Sequence, residues 1–121
     1  MSKIIGKAVA LMISDPWDFG TECGVGPFYG RVTDSGTKRI ADEDVQRALV
    51  TLDRPINYSN TKHVSAICSV RHEGAALEDL DTGSKVSVNI TLLPKEAKTF
   101  REISGDEFRK GFAAIGSLQL G

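Results

Sequence analysis

The residues with chemical potential in this chain fall into two groups. The first is the stretch from Ser14 to Gly30, SDPWDFGTECGVGPFYG, which carries the only tryptophan, Trp17, together with Phe19, Phe28 and Tyr29. It also holds Cys23 and the acids Asp15, Asp18 and Glu22. Glycine and proline at Pro16, Gly20, Gly24, Gly26 and Pro27 break both helix and strand. Rings this dense have large apolar areas to bury, so an ordered loop folded against the body of the protein is expected. One role for it is an aromatic platform, where stacking a flat ligand is worth roughly 1–3 kcal/mol per ring. The other is structural, with Trp17 and Phe28 plugging an end of the fold. Gly24 and Gly26 lack the third glycine and the strand-to-helix setting of a dinucleotide fingerprint.

The second group is Arg71, His72 and Glu73, at the end of an alternating segment. His72 titrates near neutrality and could serve as acid or base with Glu73 orienting it. The guanidinium of Arg71 suits a phosphate or carboxylate. The plainer reading is a polar strand terminus entering a turn. A nucleophile arises if Cys23 meets His72 at hydrogen-bond distance, with Asp18 or Glu22 as orienter. No G-x-S-x-G, H-E-x-x-H or Walker pattern points to another reaction. His63 precedes His72 by nine residues and faces the opposite way by alternation, so a shared metal would require a bulge. Asp15, Asp18 and Glu22 lack the order of a calcium loop. Neither metal nor cofactor is expected.

The elements that must position these groups are mainly strands. From Lys85 to Leu92 the chain alternates strictly, with Val86, Val88, Ile90 and Leu92 on a dry face and Lys85, Ser87, Asn89 and Thr91 on a wet one. His63 to Val70 repeats this, with Val64, Ala66, Cys68 and Val70 inward, His63, Ser65 and Ser69 outward, and Ile67 out of pattern. Arg47 to Leu52 is a third strand, ended by Arg54-Pro55. Ile4 to Ile13 is apolar on both faces, and Phe28 to Thr33 leads into a turn at Asp34-Ser35-Gly36. A helical turn is expected at Ala41–Asp44, a loop at Asn57–Thr61, and a short helix at Ala75–Asp81 closed by Gly83. Ser104 and Glu107 form a capping box, Ile103 and Phe108 a hydrophobic staple. Phe108, Phe112 and Ile115 share one helical face, with Gly116 as the stop. The pattern predicts a small, partly open antiparallel barrel or curled sheet, SH3-like or OB-like, of about five strands with a C-terminal α-helix. The small uncharged outer residues, Ser65, Ser69, Ser87, Asn89 and Thr91, would also suit packing against another subunit.

The chain has 121 residues, the size of one domain, and residues 1–121 are read as a single globular unit. Lys and Arg number 15 against 16 Asp and Glu, which gives no basic face for extended nucleic acid. No apolar run approaches the ~20 residues of a membrane helix. The first residues are read as a buried strand rather than a signal peptide. Cys23 and Cys68 are read as free thiols in a reducing, cytoplasmic compartment. The function expected is a non-catalytic binding domain. Its loop from Asp15 to Tyr29 and its strand end at Arg71-His72 would form one pocket, using Trp17, Asp18, Phe28, Tyr29, Arg31, Arg71 and His72. The ligand would be small, flat and anionic, possibly nucleotide-like, or a protein partner. The alternatives are a small enzyme with His72 as acid/base and Glu73 or Cys23 as partner, and a structural subunit of a homo-oligomer.

Overall fold

The computed structural model describes residues 4–15, 26–40, 42–58, 61–70, 77, 80–94 and 112–120. They form six strands: β1 (Ala8–Asp15), β2 (Phe28–Ile40), β3 (Glu43–Tyr58), β4 (Thr61–Val70), β5 (Lys85–Pro94) and β6 (Phe112–Leu120). Each pairs antiparallel with the next, and β6 returns to β1, so the sheet is a closed barrel. The mainly β, antiparallel expectation holds. The expected five strands become six, and the partly open barrel becomes a closed one.

The sixth strand comes from residues whose spacing also suits a helix. Ala114, Gly116, Leu118 and Leu120 are buried, and Ile115 between them is 41% exposed. This period of two prevails over the helical spacing of Phe112 and Ile115. Without it β1 and β5 would be bare edges facing solvent. The expected C-terminal helix is therefore overturned across 112–116, and residues 103–111, with the capping box, lie outside the described residues. Gly116 is required by close approach: an added Cβ would strike the Met12 carbonyl oxygen and lie 2.9 Å from Ile90 Cδ1.

The other boundaries shift for local reasons. Ile4 to Lys7 is a turn rather than strand, with Gly6 at φ +90° donating its N–H to the Val32 carbonyl at 2.7 Å. Asp34-Ser35-Gly36 does not turn. A bulge between Val32 and Asp34 absorbs one extra residue, and β2 runs on to Ile40. The reversal comes at Asp42, where φ is 64° and Ile40 pairs with Glu43, so the helical turn expected at Ala41–Asp44 is a hairpin instead. Arg54-Pro55 does not end β3, which continues to Tyr58 and pairs with Thr61. Asn57, Tyr58 and Thr61 of the expected Asn57–Thr61 loop are therefore strand, and residues 59–60 lie outside the described residues. Gly83, expected as a helix stop, has φ +86° and bonds its N–H to the Leu120 carbonyl at 2.9 Å in the turn before β5.

Inward residues fill the barrel: Val9, Leu11 and Ile13 from β1, Val32 from β2, Ala48, Val50 and Leu52 from β3, with Cys68, Ile90 and Leu118 facing them. Burial of each large aliphatic side chain contributes about 1.5–3 kcal/mol, and a barrel of this size has no room for a channel. One end is plugged by Ile4 and Leu77, both in the core cluster. Leu77 donates its N–H to Gln46 Oε1 at 2.8 Å. The opposite end is where β1, β3 and β5 finish and β2, β4 and β6 begin.

Alternation alone misassigns the outer side of β3, β4 and β5. Ile67 faces outward opposite Leu49 and Thr91, yet is fully buried, as are Val45, Arg47, Ser69 and Thr91. Ser69 and Thr91 were expected on a wet face. Burial pushes the Arg47 guanidinium below its ordinary pKa.

Candidate functional site

β2 and β3 run together from their hairpin to the pair Gly30–Leu52, and there their ladder stops. Gly30 makes this last approach tight, since an added Cβ would lie 2.5 Å from the Thr51 carbonyl oxygen and 2.8 Å from Val50 Cγ1. Beyond it the two strands take different partners. Tyr29 and Phe28 pair with Ala10 and Leu11 of β1. On β3, pairing with β4 breaks after Thr51–Ser65 and resumes only at Ile56–His63. β3 thus bulges through Asp53, Arg54 and Pro55, where proline has no N–H to give a ladder.

The diverging ends enclose a cleft of about 750 Å³ lined by Pro27, Phe28, Tyr29, Asp53, Arg54, Pro55, Ile56 and Asn57. That volume lies within the ~300–1,000 Å³ range of small-molecule sites. Gly26 shapes the entry to β2. Its φ is +95°, its bond to Pro27 is cis, and an added Cβ would lie 2.6 Å from the Leu11 carbonyl oxygen.

The cleft has one aromatic wall and one polar wall. Phe28 is half-buried against the core, whereas Tyr29 is 60% exposed, so its ring is open to a partner. Across from them Asp53, Arg54, Pro55 and Asn57 are exposed, and Ile56 is buried beneath. A guanidinium fork can hold a carboxylate or phosphate in a fixed plane. Asn57 offers both a donor and an acceptor. His63 lies behind Ile56. A bulge between His63 and Ser65 turns it to the inner side, and it is buried. This corrects the outward orientation expected from alternation.

Of the residues expected to bind, Phe28 and Tyr29 line the cleft. Arg31 does not. It projects outward one row away, and its Nη1 donates to the Gly6 carbonyl at 3.0 Å. Trp17, Asp18, Arg71 and His72 lie outside the described residues, as do Cys23 and Glu73. The polar wall of the cleft comes from β3. Arg54-Pro55 was read as the end of a strand and Asn57 as the start of a loop, although proline inside an otherwise strand-like run is itself a sign of a bulge.

Cys68 is fully buried, and burial pushes its thiol up to about 12, far from the range of a nucleophile. Among the described residues no group of three or more His, Cys, Asp and Glu side chains could hold a metal ion. No helix among them is long and apolar enough to cross a membrane. No protein-family model, curated protein or solved structure matches this chain.

Proposed function

We propose that this protein is a binding domain and that the cleft between the ends of β2 and β3 captures a small ligand with a flat ring and an anionic group. The ring lies against Tyr29, with Phe28 fixing that wall from below. The anion pairs with Arg54, and Asn57 supplies a neutral hydrogen bond. The observation that carries this reading is the convergence of an exposed tyrosine and an exposed arginine on one 750 Å³ cleft. Arg54 takes the role that the sequence suggested for Arg31 and Arg71. The enzyme alternative built on His72, Glu73 and Cys23 draws on residues outside the described part, and no observation favours it.

The test uses AMP as probe, with adenosine and ribose 5-phosphate as its two halves, followed by saturation-transfer NMR and calorimetry. AMP is expected to bind more tightly than either half. Loss of a stacked ring is worth about 1–3 kcal/mol, so Tyr29→Ala should weaken AMP by roughly 5- to 150-fold. Arg54→Ala should reduce AMP toward the affinity of adenosine. No transfer to any probe at about 5 mM, well above a ~1 mM dissociation constant, would refute the reading. Binding that survives both substitutions would refute it equally.

A further inference from the structure

The polar wall of the cleft departs from strand geometry in a way that selects charge. β3 takes five steps from Thr51 to Ile56 while β4 takes two from Ser65 to His63, so the bulge holds residues that have no place in that ladder. Leu52 and Ile56, at its two ends, belong to the core and are buried. Strict alternation would put Arg54, midway between them, inside as well. The bulge turns it out instead, and Arg54 lines the cleft beside Asp53, both of them exposed. Among the described residues neither side chain is held by a salt bridge or a hydrogen bond. The rest of the lining carries no charge. The cleft thus presents one cation and one anion on adjacent residues, whose Cα atoms stand about 3.8 Å apart, and its lining has no net charge.

We infer that the ligand of this cleft is a zwitterion, and that its class is the free aromatic α-amino acid. The inference rests on the ring-and-anion reading above and adds to it a cationic group held by Asp53. In an α-amino acid the carboxylate and the ammonium share one carbon, and the ring follows a methylene later. That compactness matches two opposite charges on adjacent residues of one wall, with Tyr29 across from them. The ligand carboxylate takes the guanidinium fork of Arg54. Its ammonium meets the Asp53 carboxylate, and its ring packs on Tyr29. A ligand with negative charge alone would face Asp53 as a like charge, which costs affinity. Asp53 is then the specificity-determining residue, separating amino acids from the ring-bearing acids that Arg54 by itself would accept. Between exposed groups one such ion pair is worth up to about fivefold in affinity.

L-Tryptophan and indole-3-propionate test it on the whole protein, by chemical-shift titration near neutral pH. The two share ring and carboxylate, and only tryptophan carries the ammonium. Tryptophan should bind about 2- to 5-fold more tightly. Asp53→Asn should erase that difference, weakening tryptophan and strengthening indole-3-propionate, and thermal melts confirm that the variant is folded. AMP, which brings no cation to the site, should also tighten in Asp53→Asn. Equal constants for the two indoles in the wild type overturn the inference and leave the ring-and-anion reading standing. So does a preference for tryptophan that survives Asp53→Asn. No binding of tryptophan at about 5 mM, above a ~1 mM dissociation constant, overturns it as well, and AMP then reports separately on the ring-and-anion reading.

Discussion

Replacing Gly30 with Ala tests the physical origin of the cleft. The new methyl group would lie 2.8 Å from Val50 Cγ1 and 2.5 Å from the Thr51 carbonyl oxygen. Carbon atoms rest comfortably at about 3.5–4.0 Å, so β3 must retreat by roughly 0.7–1 Å. Thr51 pairs with Arg31 on one side and Ser65 on the other, and the retreat loosens ladder bonds worth about 0.5–1.5 kcal/mol each. Overpacking of this kind costs about 1–3 kcal/mol. Against it, alanine restricts the unfolded chain and returns about 0.4–1 kcal/mol. The balance is a destabilisation of about 1–2 kcal/mol, which at roughly 3–5 °C per kcal/mol lowers Tm by about 3–10 °C in a domain of this size. Gly30→Val should lose more, since both added methyls meet the same wall. Differential scanning calorimetry and urea midpoints at one protein concentration measure it. An unchanged or raised Tm for Gly30→Ala would show that β2 and β3 do not pinch together at the mouth of the cleft, and the account of its shape would fail.

Leu118→Ala removes a fully buried side chain from the centre of the barrel, and a loss of about 2–5 kcal/mol is expected in urea unfolding. A value below ~1 kcal/mol would mean that the interior is not close-packed. Cys68 is raised in the folded state from an ordinary 9.0 to about 12. Its contribution is therefore complete below pH 9 and is lost as the pH climbs from 9 toward 12, by about 1.4 kcal/mol per pH unit. Unfolding curves of the wild type and Cys68→Ala should diverge in slope across that window, and parallel slopes refute the shift. Asp42 holds φ at 64° in the hairpin turn. Asp42→Asn should be neutral, while β-branched Asp42→Val should cost about 1–2 kcal/mol, read from the same melts.

The strands that the sequence displays most plainly are those with one dry face and one wet face. On its inward side β5 matches its alternation from Val86 to Leu92, because both its neighbours present inward residues at the same heights. Two kinds of feature escaped that logic. The first is a competition between periods: residues 112–116 satisfy helix and strand patterns together, and only the need of β1 and β5 for a common neighbour decides between them. The second is burial from outside. Ile67 and Thr91 face outward and are still covered, and alternation cannot report a second layer. At the site, the aromatic half was legible, because Phe28 and Tyr29 stand in a segment rich in rings and glycines. The polar half was hidden because Arg54-Pro55 reads equally as the end of a strand or as a bulge within one. Which it is depends on whether Asn57 and Tyr58 find partners on β4, a long-range fact.

A closed barrel has no free edges, so among the described residues recognition falls to its ends, to breaks in its ladders and to its outer faces. One end is filled by Ile4 and Leu77, and at the other the β2–β3 ladder breaks to open the cleft. The break and the cleft have one origin: a proline that cannot donate to the ladder and a bulge that parts β3 from β4.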